Sequence, residues 1–154
     1  MNTNRKTAIS VGVLFVIATV LNMLGNIPLK PILDAPDYLI SISANENQVM
    51  IGGLLVLLSA FASAGIAIGL YPVLKKHHEA LALGSVGFRL MEGMLYIVGV
   101  VALLSLLTLS QEYVIAGASN ASLYQASGTS LLAVRDWAGR LSIITFAVGA
   151  LMYY

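Results

Sequence analysis

Residues 49–71 read VMIGGLLVLLSAFASAGIAIGLY, 23 positions without one charged side chain. A helix that spans a bilayer needs about 20 predominantly apolar residues, and this run meets that length without a break. A barrel strand would alternate apolar and polar residues over about ten positions, which this run does not do. Small residues recur along it at four-residue spacing, in the pairs Ser59/Ser63, Ala60/Ala64 and Gly65/Gly69. Such spacing lets helix backbones approach closely where lipid supplies no hydrophobic drive to pack. The segment is expected to sit at the centre of a helical bundle.

Three further apolar stretches lie on either side of it, over about 8–24, 83–109 and 131–154, the last beginning at Leu131 or Trp137. The reading is an all-α, polytopic transmembrane bundle of four helices, forming one domain over 1–154. Composition agrees. Of 154 residues, 58% are hydrophobic and only 10% charged, with a mean hydropathy of +0.89. Soluble domains carry about 25% charged residues, so a soluble sphere of this composition could not cover its surface. Net charge is +1, which leaves no basic field for nucleic acid. The chain has 0 Cys, which excludes disulfides, thiolate metal sites and cysteine nucleophiles.

Arg5 and Lys6 precede the first apolar run, an arrangement shared with signal peptides, but no small-x-small cleavage site follows it. It is read as an uncleaved first helix. Lys75 and Lys76 lie in the short link between the second and third runs, so the positive-inside rule puts the N-terminus in the cytoplasm. The segments 26–48 and 110–130 are then outer loops. Pro28, Pro31 and Pro36 forbid a long helix in the first, and Ser43–Gln48 offers caps for the second helix. In the second loop, Thr129 or Ser130 could cap the fourth helix. Tyr71, Tyr113, Trp137 and the pair Tyr153–Tyr154 suit interfacial anchoring.

Few polar residues interrupt the spans. Arg89 and Glu92 stand three apart in the third, hence on one face, and Tyr96 extends that stripe. A charge at the bilayer centre costs roughly 2.5–3.5 kcal/mol on insertion scales. Such residues are therefore candidates for a ligand-binding site, here Arg89, Glu92 and Tyr96. The alternative is structural: an intrahelical ion pair, or an edge anchor with Arg89 reaching to lipid phosphates. A second, outer polar cluster comprises Arg135, Asp136 and Arg140, with Asp136 and Arg140 in the acid-first i,i+4 order of a helical pair. Asn22, Glu46 and Glu112 lie on the same side and could join it. His77 and His78 are adjacent and lack a third ligand, so no metal site is assigned and no cofactor is implied. G-x-S-x-G, H-E-x-x-H, Walker A and G-x-G-x-x-G are all absent, so no catalytic residue is named. The sequon Asn120-Ala121-Ser122 matters only in a glycosylating cell.

Three short elements resemble a bacterial membrane family catalogued as domain-of-unknown-function family 4386. They are Leu70-Tyr71-Pro72-Val73-Leu74-Lys75, Phe88-Arg89-Leu90-Met91-Glu92 and Phe146-Ala147-Val148-Gly149-Ala150-Leu151. The resemblance implies a six-helix inner-membrane protein with no established reaction, ligand or partner. Against that pattern, the chain is expected to be a truncated or incompletely read version of a longer protein, with a natural four-helix protein as the alternative. Three functions follow. The first is a non-enzymatic bundle that binds, senses or transports a small ligand. The second is a structural subunit, meeting a second copy or a membrane partner through the small-residue faces of the second helix. The third is a lipid-modifying enzyme using Asp136, Arg140, Glu112 or Glu46. Beyond these, the lipid bilayer is the one expected partner.

Overall fold

In the computed structural model, which describes residues 3–117 and 120–152, the regular structure of the described residues is entirely helical. Four elements are long: α1 (Thr3–Asn26), α4 (Glu46–Leu74), α5 (Glu79–Ala116) and α6 (Ala121–Leu151). Between α1 and α4 lie a 3-10 turn (Ile27–Leu29), α2 (Lys30–Leu33) and α3 (Tyr38–Ala44). The expected spans 8–24, 49–71 and 83–109 fall inside α1, α4 and α5. Residues 5–33, 46–74 and 79–116 are long and apolar enough to cross a bilayer.

That makes three spans where the sequence reading expects four, and α6 is the difference. Because it begins at Ala121, Arg135, Asp136 and Arg140 fall well inside it instead of at its mouth. They split it into charge-free runs of 14 residues (121–134) and 11 residues (141–151), each shorter than a span. The expected outer loop over 110–130 is therefore mostly helix. Its alanines favour helix intrinsically, and Gly117 (φ 64°) and Asn120 (φ 60°) turn the chain within a few residues. Both occupy the left-handed region, which glycine enters freely and asparagine tolerates. Thr129 and Ser130 do not cap. They sit inside α6, donating to the carbonyls of Gln125 and Ala126. Tyr153 and Tyr154 lie outside the described residues.

The prolines of 26–48 do prevent a long helix, yet the segment is not a solvated loop. Leu29, Ile32, Leu33, Leu39 and Ile42 are buried there against Val49, Leu103, Leu106 and Leu107. The Tyr38 hydroxyl donates to the Gln125 carbonyl (3.1 Å), and the Tyr113 and Tyr124 rings meet at 5.8 Å. This outer-end core ties α3 to α5 and α6.

The long helices are arranged side by side in the order α1, α4, α5, α6. α4 uses its small residues on both flanks, burying Gly52, Ser59, Ala60, Ser63 and Ala67. Ser59 donates to the Ala18 carbonyl of α1 (2.8 Å). Near Gly25 and Gly52, α1 and α4 are in close contact. A Cβ on Gly25 would lie 2.8 Å from the Gly52 carbonyl, and one on Gly52 would lie 2.9 Å from the Gly25 carbonyl. α1 and α6, at the two ends of the row, are not packed on each other.

Gly52→Ala is accordingly expected to lower the thermal unfolding midpoint in detergent, at a cost of about 1–3 kcal/mol from overpacking. Gly87→Ala, where an added Cβ meets nothing within 4 Å, is expected to match or exceed the parent. Equal behaviour of the two variants would contradict the close α1–α4 contact.

Candidate functional site

Three residues apart on α5, Arg89 and Glu92 share a face, and the row of helices closes over it. Both are 3% exposed. The Arg89 Nη1 donates to Glu92 Oε2 at 3.1 Å. From α4, the Ser63 hydroxyl donates to the same carboxylate oxygen at 3.0 Å and lies 3.4 Å from Arg89 Nη1. From α6, the Phe146 ring sits over the guanidinium, with its centroid 4.3 Å from Arg89 Cζ, a cation–π geometry. Three helices thus converge on one ion pair.

Its level is set by neighbouring contacts. A Cβ on Gly93 would face the carbonyl of Ala60, the middle residue of α4. At 1.5 Å per residue, Arg89 then lies about 6 Å from that middle level. Arg89 is buried and paired on its own helix. It is an intrahelical pair enclosed by its neighbours, the first of the two structural alternatives. Tyr96 extends the stripe as expected, one turn beyond Glu92, facing both Glu92 and Ser142.

Beside the pair is a void of about 220 Å³ lined by Thr19 and Asn22 of α1, Ser63, Glu92 and Tyr96. Asn22 and Tyr96 also line a second void of about 400 Å³, bounded by Asn26, Arg135, Asp136 and Arg140. Asn26, Arg135 and Asp136 in turn line a third, of about 350 Å³, that reaches Lys30 and Asp34. Shared lining residues make these adjoining voids in one line, here called the groove. It runs from the ion pair to the outer end, along the gap where α1 and α6 fail to pack.

Within the outer cluster the pairing differs from expectation. Asp136 approaches Arg135 (3.9 Å) and not Arg140. Arg135 also donates to Asn26 Oδ1 at 2.9 Å, bridging α6 to the end of α1. Arg140 is left over the Trp137 ring at 5.7 Å. Asn22 joins the cluster, whereas Glu46 and Glu112 are exposed and line none of the three voids. His78 serves as a helix cap, its Nδ1 accepting from the Leu81 amide.

Residues 10–154 match the family described as "Domain of unknown function (DUF4386)". The chain belongs to that family. No curated protein and no solved structure matches it. Two of the three DUF4386-like elements quoted above meet at the ion pair. Phe146 covers Arg89, and Gly149 comes so near Phe88 that an added Cβ would lie 3.1 Å from the Phe88 Cβ. Ser63, Phe146, Asn26 and Ser142 are site residues that sequence reasoning missed as such. Ser63 and Ser142 carried a signal, small-residue spacing, that reads equally well as packing alone.

Breaking a buried pair by removing one partner costs about 3–5 kcal/mol, whereas replacing both by apolar groups is often near neutral. Arg89→Met alone is expected to lower the unfolding midpoint sharply, and Arg89→Met/Glu92→Leu to recover most of it. A double variant no more stable than the single one would contradict the charge pairing.

Proposed function

We propose that this DUF4386 chain is a membrane-embedded, non-enzymatic bundle that admits a small polar ligand into the groove between α1 and α6. In this reading α6 is the fourth span, its charges turned toward the groove, and the N-terminus is cytoplasmic. Supporting the orientation, Arg5 and Lys6 share one end of the molecule with Lys75 and Lys76, since α1 and α4 run antiparallel.

One observation carries the ligand reading: the void beside Arg89 and Glu92 shares Asn22 and Tyr96 as lining residues with a larger one bordered by Arg135, Asp136 and Arg140. A structural ion pair needs only enclosure. Here the enclosure is incomplete on one side, and polar side chains line the opening. Pockets for small molecules range over about 300–1,000 Å³, with a few placed polar groups among apolar walls, which describes this groove. A lipid-modifying enzyme is less well supported, because Glu46 and Glu112 stand apart from Asp136 and Arg140.

A chain with 0 Cys suits single-cysteine labelling. Gly139 lines the groove, and a side chain there meets nothing within 4 Å. Val98 is exposed on the neighbouring helix. With the protein in its membrane, Gly139→Cys is expected to react with a water-soluble maleimide and Val98→Cys to resist it. A resistant Gly139→Cys would refute the hydrated groove. In the same assay Lys76→Cys and Asn120→Cys should label from opposite sides, Lys76→Cys from the cytoplasm.

A further inference from the structure

Hydrogen-bonding capacity in the 400 Å³ compartment is unevenly used. Its acceptors are engaged. Asp136 lies 3.9 Å from Arg135, Asn26 Oδ1 accepts a hydrogen bond from Arg135, and Asn22 Oδ1 accepts one from Asn26 Nδ2 (3.3 Å). Its donors are not. Arg140 makes no ion pair among the described residues, and Asn22 Nδ2 is buried without an acceptor. A buried donor without a partner costs about 1–3 kcal/mol, so the Asn22 amide favours an incoming acceptor.

Position sharpens this. Gly99 faces Ala138 across the α5–α6 contact, which sets Arg140 against the residues just after Tyr96. At 1.5 Å per residue, Arg140 is about 6 Å outward of the Gly93 level. It is exposed there, beside Asn22. Two arginines and one aspartate border the compartment, leaving one positive charge over. Beside its polar residues, the wall has an apolar part formed by Val56, Val100, Leu103 and Ile143. A guanidinium recognises carboxylate and phosphate through paired N–H donors.

From this placement we propose that the compartment binds the carboxylate or phosphate end of an anionic amphiphile, on Arg140 and the Asn22 amide, with the apolar part against Val56, Val100 and Leu103. The inference rests on the groove being open, as argued above. The gap between α1 and α6 gives the amphiphile a sideways path in from lipid, which a closed bundle would deny.

Trp137 is the protein's one tryptophan and lies under Arg140, so its emission reports on the site. Purified full-length chain in maltoside micelles would be titrated with oleate and with phosphatidylglycerol, and separately with phosphatidylcholine, inorganic phosphate and acetate. Oleate or phosphatidylglycerol is expected to give a saturable shift in Trp137 emission and a raised unfolding midpoint. Arg140→Gln should weaken binding at least tenfold, on the order of 1.4 kcal/mol, while Lys75→Gln leaves it unchanged. A response to phosphate or acetate equal to that of the amphiphiles would overturn the amphiphile and leave a free anion as the ligand. No saturable response to any anion, or the same response in Arg140→Gln, would overturn the proposal. If Gly139→Cys labels from water in that case, the open groove stands and the anion site alone fails. If Gly139→Cys resists, the groove itself is refuted.

Discussion

A guanidinium removed from water costs several kcal/mol even when paired, so the place that holds Arg89 constrains the helices around it. Glu92 supplies the counter-charge from the same helix, but one carboxylate oxygen cannot satisfy that fork of donors. Ser63 of α4 and the face of Phe146 of α6 add to the surroundings. Each comes from a different neighbour of α5, and each arrives only if that neighbour is in register. The pair thus acts as a register pin between α4, α5 and α6. Ser59, one turn from Ser63, reaches instead to the Ala18 carbonyl and carries the alignment on to α1.

A row of four helices has two free flanks, and here the ends of the row enclose a groove instead of closing on each other. The close α1–α4 contact at Gly25 and Gly52 fixes α1 at the outer end, and the Arg135–Asn26 bridge fastens α6 to the same point. Below that bridge, Asn22 of α1 and Tyr96 of α5 line both of the inner voids. The polar residues therefore follow the gap. Arg135, Asp136 and Arg140 of α6 all border that groove.

Much of this was legible in the sequence. The apolar runs located α1, α4 and α5 because their length and lack of charge admit one interpretation. The i,i+3 spacing placed Arg89 and Glu92 together, and Tyr96 followed by the same periodicity. What escaped was long-range. Nothing local says that Ser63 bonds a carboxylate and not a backbone, or that Phe146 covers a cation and not lipid. The 110–130 region misled for a different reason: serine and glycine signal a loop, but its alanines and three tyrosine contacts, at Tyr38, Tyr113 and Tyr124, favour helix once the outer core exists. The Asp136–Arg140 pair failed similarly. Acid-first i,i+4 order is worth only about 0.2–0.5 kcal/mol in an isolated helix, and here Asp136 lies beside Arg135, which is also bonded to Asn26.

That small reversal has the largest functional consequence. Had Asp136 taken Arg140, the outer cluster would be neutral at its deepest point and Arg135 would be the free cation, near the aqueous end where a cation is unremarkable. With Arg135 held by Asn26 and Asp136, the unengaged charge moves one helical turn inward, beside an amide that also lacks an acceptor. A weak preference at the outer end thereby decides where positive potential falls inside the groove. It falls between the outer opening and the Arg89–Glu92 pair, on the one stretch where polar donors and apolar walls face the same space.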